Sequence, residues 1–192
     1  DQEFCDFMNK HFVNLWMDMT TREGNELALK YKVKTYAHYL ILDADGNVVH
    51  RIVGGAKLPD FREQVARALS DKTSLKGTAR LYAEGDHSQT NLYNYATALR
   101  LASEDSLFTV VGKEYLATIQ PADLAKKGNW MFARLAIPDR DSKYYPYLIE
   151  HKQMFADSIG APAINAFIES LVCRDIMRYA MGDVVYDKAA LE

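Results

Sequence analysis

Apolar and polar positions follow two different rhythms along this 192-residue chain. Up to Val53 the apolar residues gather in short runs bounded by turn formers, the pattern of strands, whereas beyond Leu75 they recur every three or four positions, the pattern of helices. Phe12, Val13, Leu15, Trp16, Met17 and Met19 crowd one segment with few breakers, which predicts a buried strand over 12–19. Thr20, Thr21 and Gly24 form the next loop, and Asn25 is placed to cap a helix carrying Leu27, Leu29, Tyr31 and Val33. Tyr39 to Leu42 then make a second strand and Val48, Val49, Ile52 and Val53 a third. Asp43-Ala44-Asp45-Gly46-Asn47 between them has hairpin-turn chemistry. Pro59 suits a helix start, with Phe61, Val65, Ala68 and Leu69 at helical spacing behind it.

The helical rhythm begins with Leu75, Ala79, Leu81 and Tyr82, is broken at Gly85-Asp86, and resumes after Ser88 with Leu92, Tyr95, Ala96, Leu99 and Ala102, predicting a helical hairpin. Further helices are expected over 107–119, 121–125, 130–137, 144–159 and 163–181, punctuated by Pro121, Pro138, Gly160 and Gly182. The predicted fold class is α/β plus all-α: a partial sheet-and-helix domain over 1–72, followed by an antiparallel helical-hairpin domain over 73–192.

Over about residues 1 to 70 the order of elements resembles the back half of a thioredoxin fold. Asp18 stands where the family's core strand ends in an acidic residue, Glu26-Leu27-Ala28-x-Lys30-Tyr31-x-Val33 is similar to the helix that follows, and the 39–53 hairpin to its terminal hairpin. The resemblance implies a thioredoxin-like fold, thiol–disulfide exchange of the oxidoreductase or disulfide-isomerase kind, a protein or peptide substrate, and a place in the bacterial periplasm or envelope. No Cys-x-x-C occurs in the chain, so no catalytic residue is assigned within it, and the chain is expected to be inactive alone. In the family the pair opens the helical region whose tail matches Gln2 to His11, which places it roughly 10 to 20 residues before Asp1 at a helix N-terminus. The family's strand before that motif lies between those at Phe12 and Tyr39, so an upstream segment, or contact with another chain, is expected to complete the sheet.

Tyr36, Ala37 and His38 fall on the family's substrate groove, with Ala37 where thioredoxins carry a cis-proline. A secondary amide prefers trans by several kcal/mol, so Tyr36–Ala37 is expected to be trans and the groove reshaped. His38 reads as an ordinary histidine at a strand start rather than an acid or base beside a thiolate. Leu81-Tyr82-x-x-Gly85-Asp86, the Asn91-Leu92-Tyr93-x-Tyr95 helix, Glu114-Tyr115-Leu116, Asn129-Trp130, Asp141-Ser142 and Met154-Phe155 resemble the helical extension behind thioredoxin-like domains in some bacterial envelope proteins, with tetratricopeptide-like spacing.

Charge and composition narrow the partners. The formal net charge is −3 with lysine and arginine scattered, which gives no electrostatic footprint for nucleic acid. No apolar run is long enough to span a bilayer. Neither cofactor nor metal is expected: Asp43-x-Asp45-Gly46-Asn47 resembles the start of a calcium loop but lacks the later bidentate glutamate, and no zinc spacing, phosphate loop or Ser-His-Asp arrangement stands out. Cys5, beside Phe4, Phe7 and Met8, reads as a small buried hydrophobe, and a disulfide with the distant Cys173 has no support. Tyr93, Tyr95, Tyr115, Trp130, Tyr144, Tyr145 and Tyr147 have two readings, packing between helices, which helical stripes favour, or a concave peptide-binding surface. Two functional classes follow: a thiol–disulfide exchange protein whose cysteine pair is not in this chain, and a catalytically dead thioredoxin-like module that binds a polypeptide.

Overall fold

The computed structural model describes residues 1–183. Among them are ten α-helices and one two-stranded antiparallel sheet, so the molecule is mostly helical with a small β component. Contacts divide the chain into two compact units, Asp1–Val111 and a second beginning at Gly112. The division falls within a helix, whereas the sequence boundary at 72/73 marks where strand chemistry ends.

In the first unit, α1 (Gln2–His11) is capped by Asp1, whose carboxylate accepts the Phe4 amide. After it, residues 12–19 are not the strand their composition predicts. A strand needs a lateral partner for its amides and carbonyls, and among the described residues the sheet holds only β1 (His38–Leu42) and β2 (Val48–Val53). α2 (Arg22–Lys30) starts four residues earlier than expected and is capped by Thr21 rather than Asn25; the Thr21 hydroxyl accepts the Gly24 amide at 3.1 Å. Asn25 sits inside the helix and donates back to the Thr21 carbonyl.

The hairpin forms as its turn chemistry dictates. Gly46 takes a positive φ of 77°, and the Asp43 carboxylate accepts the amides of Asp45 and Asn47. Lys76 adds an ammonium 2.8 Å from Asp43, so this carboxylate serves both the turn and an ion pair. His38 pairs with Val53 and Ile41 with His50, with an irregularity between Ile41 and Leu42. Alternation then sets His50 and Ile52 on one face of β2, and both are almost wholly buried.

α3 (Leu58–Ala66) runs into a 3-10 turn, Arg67–Leu69. α4 (Leu75–Ala83) and α5 (Gln89–Leu101), capped by Ser74 and Ser88, pack on each other and on β2. Leu92, Tyr95, Ala96 and Leu99 give α5 its buried stripe.

α6 (Asp105–Ala117) contains the division between units. In the second unit, 3-10 segments at Pro121–Ala125 and Lys127–Phe132 lead into α7 (Ala133–Ala136). α8 (Tyr144–Glu150), α9 (Lys152–Ile159) and α10 (Ala161–Ala180) follow, so the predicted 144–159 helix is two helices meeting at His151. Gly160, at φ 108°, turns the chain between α9 and α10, which pack together. Phe132, Leu148, Phe155, Ile164 and Leu171 form this unit's core.

Candidate polypeptide-binding site

Tyr36, Ala37 and His38, expected from the sequence to form a substrate groove, lie at the open end of the hairpin, away from its turn. Tyr36 is 69% exposed and Ala37 is also exposed, while the Ala37 carbonyl accepts the Gly54 amide at 2.9 Å and closes the hairpin base. The Tyr36–Ala37 peptide is cis, which corrects the trans expectation; that expectation used only the intrinsic preference of a secondary amide. His38 is half-buried at the first β1 position, and neither ring nitrogen makes a hydrogen bond of ordinary geometry among the described residues. Burial foremost, and then the Arg51 charge, hold its imidazole below the ordinary histidine range, against an opposing pull from the Thr35 backbone. It is therefore a neutral ring at neutral pH. Arg51 itself is turned to the carbonyl of Tyr31 at 2.7 Å, tying β2 to the end of α2.

From the hairpin an unbroken chain of ring contacts runs through two helices. Tyr39 on β1 meets Phe61 on α3 at 4.6 Å between centroids, Phe61 meets Phe4 on α1 at 5.9 Å, Phe4 meets Phe7 at 6.5 Å, and Phe7 meets Phe12 at 6.3 Å. Arg62 reinforces it, pairing with Glu3 at 2.6 Å and lying over the Phe7 ring. α1 thus spends its aromatic face on α3, which leaves Cys5 outward: it is exposed rather than buried, and both Cys5 and Cys173 are free thiols.

Past Phe12 the apolar residues lose their cover. Val13, Leu15 and Trp16 are 101%, 80% and 83% exposed, where the sequence predicts burial. Among the described residues the backbone of 13–17 makes no main-chain hydrogen bond. The segment therefore offers both requirements of strand pairing, free amides and carbonyls and apolar side chains on either side of the backbone. The two strands of the hairpin likewise have outer edges with no further strand beside them among the described residues.

The seven aromatic residues of the helical region fall in both units and mostly pack. Tyr95 and Tyr115 are buried, and the Tyr115 hydroxyl bonds Asn129 at 2.8 Å. Trp130 contacts Phe155 and Phe167, and Tyr147 contacts Phe155. Tyr93, Tyr144 and Tyr145 are half-buried. A shallow hollow in the second unit, about 340 Å³, is lined by Leu116, Ile119, Gln120, Pro121, Lys143 and Tyr144, and it holds a single charged group. No cluster of three metal-ligating side chains occurs among the described residues.

Sequence reasoning passed over His50, although strand alternation with Ile52 pointed its side chain inward. It also placed Val13, Leu15 and Trp16 in a core, because composition records side chains but not the strand that must lie beside them. No helix among the described residues is long and apolar enough to cross a membrane. Comparison with known proteins matches the chain to no family model, no curated protein and no solved structure.

Proposed function

We propose that this chain is the polypeptide-docking part of a thioredoxin-like protein of thiol–disulfide exchange, acting in the bacterial envelope and carrying no redox pair of its own. The order α2, β1, turn, β2, α3 supports the fold side of the reading, since it resembles the second half of a thioredoxin domain. The thiol–disulfide side rests on that resemblance. The observation that carries docking is the segment 13–17, with exposed apolar side chains and an unpaired backbone beside the aromatic chain that leads to Tyr39. An added strand from another polypeptide would satisfy both its hydrogen bonds and its apolar surface.

In an insulin-reduction assay with dithiothreitol the 192-residue chain is expected to give no turnover above buffer, and turnover would overturn the assignment of the redox pair outside it. An immobilised, reduced and unfolded polypeptide should retain the chain after alkylation of Cys5 and Cys173. A Leu15→Ser/Trp16→Ser double variant should lose that retention. A second reading, a catalytically dead binding module, is favoured by Ala37 at the family's proline position and by two free thiols that have no partner cysteine nearby in sequence. Capture of a substrate protein as a mixed disulfide by the protein carrying a Cys-x-x-C with its second cysteine replaced would exclude it.

A further inference from the structure

His50 lies wholly buried on β2, and its Nδ1 accepts the amide of Leu75, the first residue of α4, at 3.0 Å. An imidazole nitrogen that accepts carries no proton, so the proton of the neutral ring sits on Nε2, which has no partner among the described residues. Around this contact the helix start is tightly built. Ser74 is fully buried and caps α4 through the Gly77 amide, and Gly77 lies so close to Asp71 that a β-carbon there would stand 2.1 Å from the Asp71 carbonyl oxygen.

We propose that His50 is a pH-sensitive latch: the neutral ring holds the start of α4, and with it the α4/α5 pair, on the hairpin, and protonation releases it. A protonated ring would turn an N–H donor toward the Leu75 N–H, donor against donor, at the positive end of the helix dipole. No carboxylate is among the groups that act on His50. On the 3-10 turn, Arg67 contributes a second cation whose field reaches His50. On α4, Lys76 is bonded to Asp43 and Arg80 to Asp71 and Glu84. On α5, Tyr93 acts on Arg67, as does Glu63 from α3, and Arg100 pairs with Asp105. On the strands, Arg51 is turned to the Tyr31 carbonyl, and His38 on β1 feels Arg51. Burial, then Arg67, push the His50 imidazole down to about 4 from its ordinary 6.5, so the unfolded state binds the proton first. The latch is complete above pH 6.5, weakens as the pH falls toward 4, and loses nothing further below that.

The test is amide hydrogen exchange of the whole chain, corrected for intrinsic rates, combined with NMR titration of the His50 ring. Protection of the Leu75 amide should fall about 300-fold in total from about pH 8 to about pH 3, with roughly 80-fold of that fall between pH 6.5 and 4, following the difference between the two values. His50→Asn, whose side-chain oxygen can take the place of Nδ1, should show protection that does not vary over this range. If that variant does not fold, wild-type protection must still fall in step with protonation of the ring. Constant protection in the wild type, the same fall in His50→Asn, or a ring that titrates near 6.5 with Leu75 still protected would each overturn the latch.

Discussion

At the residue scale, the same device starts two helices. Thr21 with Gly24, and Ser74 with Gly77, place a hydroxyl cap and a glycine three residues apart, and the hydroxyl accepts the glycine amide in both. The glycine is needed for room: an added β-carbon would lie 2.1 Å from the Asp18 carbonyl oxygen at Gly24 and from the Asp71 carbonyl oxygen at Gly77. Backbone cannot swing aside as a side-chain tip can. Gly77→Ala should therefore destabilise the protein by about 2 kcal/mol even after the better helix propensity of alanine is counted, read from the urea midpoint. Gly112→Ala is the control, because the nearest obstacle there is the Leu135 side-chain tip at 2.7 Å, and it should cost clearly less. Equal losses at the two sites would remove the backbone-crowding argument. Of this arrangement the caps at Ser74 and Thr21 were available as residue types in the sequence, but Asn25 was equally eligible, and only the close approach of the Asp18 backbone to Gly24 selects Thr21.

At the scale of elements, legibility followed how local each signal was. The hairpin was readable because its turn residues and its alternation act within a few positions, and the Ser88 start of α5 because a cap and a stripe agree. The predicted 12–19 strand failed because strand formation there depends on a neighbour that the composition of the segment does not specify. Helix α10 shows the opposite case, in which a periodic stripe identifies its buried side: Ile164, Phe167 and Leu171 are almost wholly buried while Ile176 and Met177 are half exposed. Phe155 on α9 meets Trp130 of the 3-10 segment and Tyr147 of α8, so Phe155 joins three elements at the centre of the second unit. Phe155→Ala should cost about 3 to 5 kcal/mol through the cavity it leaves, and Ile176→Ser less than about 0.5 kcal/mol. Chemical denaturation monitored by Trp130 fluorescence, in a Trp16→Phe background, separates the two. A comparable loss at both positions would mean that the exposed end of α10 is covered.

At the scale of the whole molecule, the change of sequence pattern at 72/73 and the division of contacts at Val111 answer different questions. Strand chemistry stops after the hairpin, but the buried face of β2 still requires cover, and α4 and α5 supply it from the helical part of the chain. That cover leaves the apolar surface of 13–17 unused. With a formal net charge of only −3 and a sequence pI of about 6.0, electrostatic repulsion between molecules is weak, so exposed Val13, Leu15 and Trp16 should promote association. At pH 7.5, where His50 is neutral, sedimentation velocity should show a mean mass that rises with concentration. Val13→Ser/Leu15→Ser/Trp16→Ser should stay at one mass over the same range. Trp16 supplies an internal check, because its emission should move to shorter wavelength as association or a bound polypeptide dries it, while Trp130, already in ring contact with Phe155 and Phe167, should not move. A wild-type chain of constant mass whose Trp16 emission is already short in wavelength would mean that the segment finds its partner strand within the molecule, and docking would then have to be sought at the outer edges of the hairpin.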